Sequence, residues 1–162
     1  MLEISPDARI SPLADIEDSV RGSRIIIHPG VCIDSFVKFK PAGGMGDVVI
    51  GRGTTINSGC VLYTGNGITI GEHCAIAANC TFAPVNHAYQ DSSRLIVEQG
   101  FQESRGGICI GNDVWIGANC VILDGAVIGA GAVIAAGTIV RDELPPYSVS
   151  RGIPATVTGY RS

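Results

Sequence analysis

The chain has 162 residues, of which 46% are hydrophobic and 16% are charged. This composition excludes an intrinsically disordered chain, which combines low hydrophobicity with high charge, and the length is that of one domain, 1–162. Eleven basic and fifteen acidic side chains give a formal net charge of −4. No segment concentrates the basic residues, so we expect no nucleic-acid partner.

Neither a secretory signal nor a membrane anchor is expected. Residues 1–15 carry acidic side chains where a signal peptide would have a basic start and an unbroken apolar core. The uncharged stretch 125–140 is shorter than the roughly 18 to 20 residues of a membrane helix. We therefore predict a cytoplasmic protein with no membrane partner.

Apolar residues, mostly isoleucine, recur every six positions. The steps are Ile4-Ile10-Ile16, Ile27-Ile33-Phe39, Ile50-Ile56-Leu62, Ile70-Ile76-Phe82 and Ile110-Ile116-Ile122-Ile128-Ile134-Val140. An amphipathic helix would need a period near 3.6 and would not tolerate the many glycines between these anchors. The pattern instead predicts short parallel strands with inward anchors, three to each turn of a triangular coil. Eighteen anchors predict about six coils in an all-β fold.

A small or β-branched residue usually follows each anchor by four positions, and we interpret this slot as inward-facing too. It holds Ala8, Ala14, Val20, Val31, Val37, Thr54, Val114, Ala126, Ala132 and Thr138, and the cysteines Cys60, Cys74, Cys80 and Cys120. Free cysteine packs as a small apolar residue, so we expect these four to be structural. The six cysteines show no CxxC spacing that would indicate zinc.

The six-residue step breaks most conspicuously between Phe82 and Ile110. Segment 83–109 contains His87 and five charged residues, which predicts a polar loop inserted into the coil. A long ordered loop on a rigid scaffold is usually functional. After Val140 the sequence predicts a short C-terminal tail.

Over about residues 50–158 the sequence resembles the hexapeptide-repeat acyltransferases, within them the galactoside and maltose O-acetyltransferase group. The similarity is densest in ITIGEHCAIAANCTFAPVNH and in ICIGNDVWIGANCVILDGAVIGAGAVIAAGTIVRDELPPYSVSRGIPA. The resemblance implies a left-handed parallel β-helix, acetyl-CoA as acyl donor and no metal. It also implies a homotrimer whose active sites lie between subunits.

The resemblance assigns the catalytic role to His87, and the chemistry agrees with it. An acceptor hydroxyl must lose a proton as it attacks the acetyl thioester, and histidine is the side chain best able to accept one near neutral pH. Asn57 matches a family asparagine that contacts the acetyl group or the acceptor. Its amide can donate to the thioester oxygen as charge develops there.

Four further positions match family residues around acetyl-CoA. Trp115 lies in the motif Asp-Val-Trp-Ile-Gly at an outward-facing position, and in the family the matching residue lies beside the active-site tunnel. Ala118 and Ala136 match contacts to the pantetheine arm, and Arg141 matches a polar contact to the nucleotide end. The family often has a lysine after that arginine, but here Asp142 follows, so Arg151 or Arg161 is our candidate for the missing charge.

A saccharide hydroxyl is the expected acceptor, as in short O-acetyltransferases of polysaccharide biosynthesis. N-acetylation of an amino-sugar nucleotide is the alternative, and a zinc enzyme of the γ-carbonic anhydrase type is a remote one. The zinc enzyme needs three histidine ligands, and His28, His73 and His87 lack the paired spacing of that family. Asp91 and Glu98 are equal candidates for orienting His87.

Overall fold

The computed structural model describes every residue from Met1 to Ser162, and its regular secondary structure consists almost entirely of short strands, three to a coil, joined by turns. The first three coils contain β1 (Leu2–Ile4), β2 (Arg9–Ile10), β3 (Asp15–Ile16), β4 (Ile25–Ile27), β5 (Cys32–Ile33), β6 (Lys38–Lys40), β7 (Val48–Ile50), β8 (Thr55–Ile56) and β9 (Val61–Tyr63). The fourth coil contains β10 (Ile68–Ile70), β11 (Ala75–Ile76) and β12 (Thr81–Ala83) and is followed by the helix α1 (Ile96–Gln99). The fifth and sixth coils contain β13 (Ile108–Ile110), β14 (Trp115–Ile116), β15 (Val121–Leu123), β16 (Val127–Ile128), β17 (Val133–Ile134) and β18 (Ile139–Val140).

Each strand pairs in parallel with the equivalent strand of the next coil, which builds three sheets around a triangular core. Sheet 1 starts with β1, sheet 2 with β2 and sheet 3 with β3. The register places anchor beside anchor, as in the pairing of Ile50 with Ile70 and of Ile70 with Ile110. The predicted left-handed parallel β-helix of six coils is confirmed.

Columns of apolar side chains fill the interior because inward residues repeat at the same place in every coil. From the second coil onward every predicted anchor is buried. The 29 buried apolar residues, of which Ile25 is the first and Leu144 the last, form one continuous cluster. The first coil is the open end of the stack, and its anchor Ile4 is exposed. The four slot cysteines Cys60, Cys74, Cys80 and Cys120 are buried free thiols, as predicted.

The segment after Val140 is more ordered than the predicted tail. It contains β19 (Glu143–Leu144), β20 (Ser148–Arg151) and β21 (Thr156–Tyr160). The strands β19 and β20 begin a seventh coil on sheets 1 and 2. The chain then reverses, so that β21 lies antiparallel to β20 at the edge of sheet 2. Anchor spacing misses this coil because Ser150 stands where an apolar anchor would be expected.

Two of the three corners of the triangle are built from nearly identical short turns. The first corner joins sheet 1 to sheet 2, and the second joins sheet 2 to sheet 3. From the second coil onward each turn has one residue with positive φ, which explains the glycines and the turn-forming asparagines. At the first corner these residues are Gly30, Gly53, His73, Asp113, Gly131 and Tyr147, and at the second Phe36, Gly59, Asn79, Asn119 and Gly137.

The third corner joins sheet 3 to sheet 1 of the next coil, and its connections vary in length. They cover residues 17–24, 41–47, 64–67, 84–107, 124–126 and 141–142. One sequence prediction fails here: Val20 is 98% exposed rather than inward-facing. The chain has already left the coil at Glu17, and Ile25, two residues before the anchor Ile27, fills the interior instead.

Candidate functional site

The long loop between β12 and β13 is an ordered hairpin attached to the third corner. Its two arms are held together by backbone hydrogen bonds from Ala88 N to Gly100 O, 3.0 Å, and from Gln102 N to Asn86 O, 2.8 Å. Between the arms, His87 and Phe101 form an antiparallel bridge. The prediction of a loop outside the stack is therefore correct, and this pairing places His87 at a defined point above the fourth coil.

His87 lies at an apolar pocket of about 240 Å³ formed by the loop and the third corner. Its lining residues are Ala42, Gly43, Tyr63, Ala83, Val85, His87 and Phe101. The rings of His87 and Phe101 pack with centroids 4.9 Å apart and planes inclined by 45°. The His87 side chain is exposed, so a substrate can approach the imidazole while the phenyl ring restricts its orientation.

The two acidic residues predicted as candidates to orient His87, Asp91 and Glu98, form their hydrogen bonds within the tip of the loop instead. Asp91 accepts hydrogen bonds from the backbone and hydroxyl of Ser93, which lower the pKa of its carboxyl group. Glu98 belongs to the one-turn helix α1, where its carbonyl accepts a hydrogen bond from Arg94. Neither carboxylate forms a hydrogen bond or ion pair with His87, so neither Asp91 nor Glu98 orients the imidazole in this structure.

A buried carboxylate fastens the returning arm of the loop to the stack. Asp124 is 1% exposed and accepts hydrogen bonds from Arg105 N, 2.8 Å, from Gly107 N, 2.9 Å, and from Asn66 Nδ2, 3.2 Å. These three donors replace the water that the carboxylate loses on burial. Asp124 therefore joins the loop, the corner of the third coil and the corner of the fifth coil.

Three of the predicted site residues lie along the second corner. Asn57, Ala118 and Ala136 belong to turns of the third, fifth and sixth coils, and the half-buried Ala118 accepts a hydrogen bond from Gly137 N at 2.8 Å. Asn57 donates from Nδ2 to Ile76 O at 2.7 Å. Its second amide hydrogen and its side-chain oxygen are free to bind a substrate, because an amide carries two donors and an acceptor.

Trp115 stands on the outer face of sheet 2 in β14. It pairs with Ala75 of the fourth coil and with Val133 of the sixth, so its indole is flanked by smaller side chains. The side chain is 55% exposed, as the sequence predicted. A large exposed aromatic ring on a face of small residues provides an apolar binding surface.

Arg141 lies at the third corner, and a residue from the loop changes its electrostatic surroundings. Asp142 accepts hydrogen bonds from Arg141 Nε at 3.3 Å and from Arg105 at 2.9 Å, and the Arg105 contact lowers the pKa of the Asp142 carboxyl group. Two exposed guanidinium groups thus share one carboxylate. The local charge remains positive although Asp142 occupies the position where the family often has a lysine.

The two arginines suggested for the missing charge differ in their contacts. Arg161 donates to Asp113 at 2.8 Å and to Gly131 O at 3.0 Å, which holds it at the first corner. Arg151, at the end of β20, is exposed and forms no ion pair with a carboxylate. Arg151 is therefore the one whose guanidinium group is free for a ligand.

The three histidines are not gathered at one place. His28 and His73 lie exposed near the first corner, whereas His87 lies in the loop at the third. No group of three or more His, Cys, Asp or Glu side chains is arranged to hold a metal ion. The short helix α1 is the only one in the chain, and no helix is long and apolar enough to cross a bilayer.

Sequence reasoning missed Phe101, Arg105 and Asp124, although all three shape the surroundings of His87 or Arg141. Phe101 and Arg105 fall in the segment without periodicity, where spacing gives no information about contacts. Asp124 did carry a signal, because it is the one charged residue inside the regular run from Val114 to Val140. A charged residue within such a repeat is typically paired when buried.

The fold and the loop define a hexapeptide-repeat β-helix protein, and comparison with known proteins agrees. The family described as "Bacterial transferase hexapeptide (six repeats)" matches residues 110–142. The galactoside O-acetyltransferase of Escherichia coli is 36% identical over 115 residues, which are 68% of this chain and 53% of that protein. The chain thus spans about half the length of this curated relative.

Two solved structures extend the likeness beyond that segment. A hexapeptide-repeat acetyltransferase from Vibrio cholerae, complexed with acetyl coenzyme A, is 31% identical with a TM-score of 0.67, covering 82% of this chain and 72% of that one. A variant of AntD, an N-acyltransferase from Bacillus cereus in complex with dTDP and coenzyme A, has a TM-score of 0.81 at 22% identity. The match covers 99% of this chain and 84% of that one. AntD therefore shares the fold. The chain belongs to the bacterial hexapeptide-repeat acyltransferase family.

Proposed function

We propose that this protein transfers an acetyl group from acetyl-CoA to a hydroxyl group of a saccharide, with His87 as general base. The observation that carries the proposal is the ordered, exposed imidazole of His87, held by Phe101 at the mouth of an apolar pocket. No other histidine has such surroundings, since His28 and His73 lie near the first corner.

The reaction requires one proton to move twice. His87 takes the proton from the acceptor hydroxyl as that oxygen attacks the carbonyl carbon of the thioester. When the tetrahedral intermediate collapses, the carbon–sulfur bond breaks and the imidazolium returns the proton to the departing thiolate. General base catalysis of this kind contributes about 10²- to 10⁴-fold to the rate. The free amide hydrogen of Asn57 is suited to stabilise the oxyanion of the intermediate.

A trimer supplies the geometry that this reaction needs. In one subunit His87 lies at the third corner, Asn57 at the second corner and Trp115 on sheet 2, so the chain alone does not bring them together. Two copies packed side by side can place the loop of one beside sheet 2 and the second corner of the other. With the number of subunits taken from the family resemblance, we propose a homotrimer with three sites, each with His87 from one subunit and Asn57 and Trp115 from its neighbour.

The second corner fits the extended pantetheine arm of acetyl-CoA. Ala118 and Ala136 present no bulky side chain there, and the indole of Trp115 lies on the adjoining sheet. The nucleotide end of coenzyme A carries phosphates, which need cations. We assign their binding to Arg141 with Arg105, and Arg151 is the further candidate because it has no acidic partner.

Thiol release from acetyl-CoA tests the proposal. Wild type and His87→Ala are compared on a panel of monosaccharides, oligosaccharides and amino-sugar nucleotides. We expect transfer to a saccharide hydroxyl by the wild type and a loss of kcat of about 10²-fold or more in the variant. Coenzyme A binding should change little in the variant, because the residues assigned to the pantetheine arm and the phosphates do not include His87.

Three results would contradict parts of the proposal. Equal turnover by wild type and variant would remove the role of His87. Transfer only to amino sugars would identify the N-acetyltransferase alternative. A fully active monomer, identified by analytical ultracentrifugation, would exclude a site shared between subunits. In that case a mixture of the His87→Ala and Asn57→Ala variants would show no restored activity, whereas a shared site would allow some.

A further inference from the structure

The largest cavity of the molecule lies at the opposite end of sheet 2 from the donor site. It is an open groove of about 650 Å³ over the first three coils, and its lining includes Arg9, Cys32, Asp34, Thr55 and Asn57. Because it contains Asn57, the groove ends where the acetyl group would be transferred. It therefore occupies the place of the second substrate, the acceptor.

The groove contains a cation with no acidic partner. Arg9 is the only Lys or Arg that lines either cavity of the protein. Its guanidinium group donates to Cys32 Sγ at 3.0 Å, and a thiol is a weak acceptor for a charged donor. By contrast, ion pairs with carboxylates engage Arg24, Lys38, Lys40, Arg105, Arg141 and Arg161.

The other charge in the groove is already satisfied. Asp34 accepts hydrogen bonds from Ser58 Oγ, 2.7 Å, and Ser35 N, 2.7 Å, which lower the pKa of its carboxyl group. It forms no ion pair with Arg9. The hydrogen bonds of Asp34 are thus made along the second corner, and the guanidinium group of Arg9 keeps several unused donors.

The register of sheet 2 fixes how many coils separate Arg9 from Asn57. Arg9 pairs with Cys32, and Cys32 with Thr55, so the three residues form an outward-facing row. Since the guanidinium group reaches Cys32, it lies one coil, about 4.8 Å, from the coil that carries Asn57. An anion at Arg9 would therefore be close to the reacting hydroxyl.

We infer that Arg9 selects acceptors that carry an oxyanion near the reacting hydroxyl, either the carboxylate of an acidic sugar or the phosphate of a sugar phosphate. The guanidinium fork binds both groups in bidentate fashion. This inference rests on the proposed function, because it takes the groove to be the acceptor site of the same reaction.

Calorimetric titration of the 162-residue chain tests the inference without requiring turnover. The probes are glucose, glucuronate, glucose 1-phosphate and inorganic phosphate, and the variants are Arg9→Gln, Arg9→Lys and the control Arg52→Gln, an exposed arginine at the first corner. We expect an anionic probe to bind more tightly than glucose. Arg9→Gln should weaken that binding about tenfold or more, with Arg9→Lys intermediate and Arg52→Gln unchanged.

The outcomes separate this inference from the proposed function. Tight binding of glucuronate alone would identify a carboxylate as the anion that Arg9 binds. Tight binding of glucose 1-phosphate and inorganic phosphate alone would identify a phosphate. Anion binding that depends on Arg9 without any acetyl transfer would establish an anion site at Arg9 but contradict both the proposed transfer reaction and the role of Arg9 in selecting its acceptor. Failure of every anionic probe to bind better than glucose, or equal binding by wild type and Arg9→Gln, would overturn the inference, even if a neutral sugar is acetylated.

Discussion

The first two corners of the β-helix and the third corner follow different rules. At the first two, short turns repeat in coil after coil, and from the second coil onward each has one residue of positive φ. At the third, connections range from residues 141–142 to residues 84–107. The interior explains this tolerance: Ile25, Val48, Ile68 and Ile108, each at the start of the following strand, fill the core there. The chain can therefore leave the stack at the third corner without opening a cavity, and that is where the loop with His87 is inserted.

Removing part of the stack should have the largest effect on stability. Ile50 is fully buried in sheet 1 between Ile27 and Ile70. Ile50→Ala should lower the free energy of unfolding by about 2–5 kcal/mol, whereas the control Ile50→Val should cost about 0.5–1.5 kcal/mol. Denaturant unfolding measures both, and an Ala variant as stable as the Val variant would show that the interior is not close-packed.

Loss of the hydrogen bonds of Asp124, which connect the stack to the loop, should have the second-largest effect on stability. In Asp124→Asn an amide NH2 replaces one carboxylate oxygen, so at least one of the donors Arg105 N, Gly107 N or Asn66 Nδ2 loses its acceptor. A buried donor without a partner costs about 1–3 kcal/mol. We expect a lower melting temperature and faster proteolytic cleavage within residues 84–107. Asp113→Asn, in an exposed ion pair, is the control. An unchanged rate of proteolytic cleavage would show that Asp124 does not hold the loop in place.

A change confined to the loop should affect catalysis and leave the stack intact. Phe101→Ala removes the ring that packs against His87 at 4.9 Å. We expect kcat to fall about tenfold because the imidazole becomes less well positioned, with little change in melting temperature. Phe101→Leu should recover part of the rate, and Tyr160→Ala, an exposed aromatic in β21, should have no effect. A wild-type rate for Phe101→Ala would show that the hairpin alone positions His87.

Acidification should have the smallest effect, at the exposed pair between the loop and the third corner. The Arg105 contact lowers the pKa of Asp142, so the ionised carboxylate favours the folded state. This contribution is present above the unfolded value of about 3.9 and is lost as the pH falls through the lower folded value. Thermal melts of wild type and Asp142→Asn should therefore differ at neutral pH and converge in acid. A difference that grows in acid would contradict the assignment.

Regular parts of the molecule were predictable from spacing, and irregular parts were not. The six-residue step correctly predicted six coils, the buried anchors of the second to sixth coils, four buried cysteines and the exposed Trp115, whereas the anchors of the open first coil are not fully buried. It failed at Val20 and at the seventh coil, because there the chain leaves the period or lacks an apolar anchor. The positions of His87 and Asn57 came from a family resemblance. Their roles stay predictions until the variants are measured.

The sequence alone determined what repeats. An inward anchor at every sixth residue allows only a short strand, a turn and another strand, and each coil buries its anchors against the equivalent anchors of the neighbouring coils. Only the tertiary structure decided what happens where the repeat stops. The pairing of His87 with Phe101, the three donors on Asp124 and the contact of Arg9 with Cys32 join residues separated by 14 to 58 positions. No local pattern encodes such contacts, because they depend on which coils lie side by side after folding.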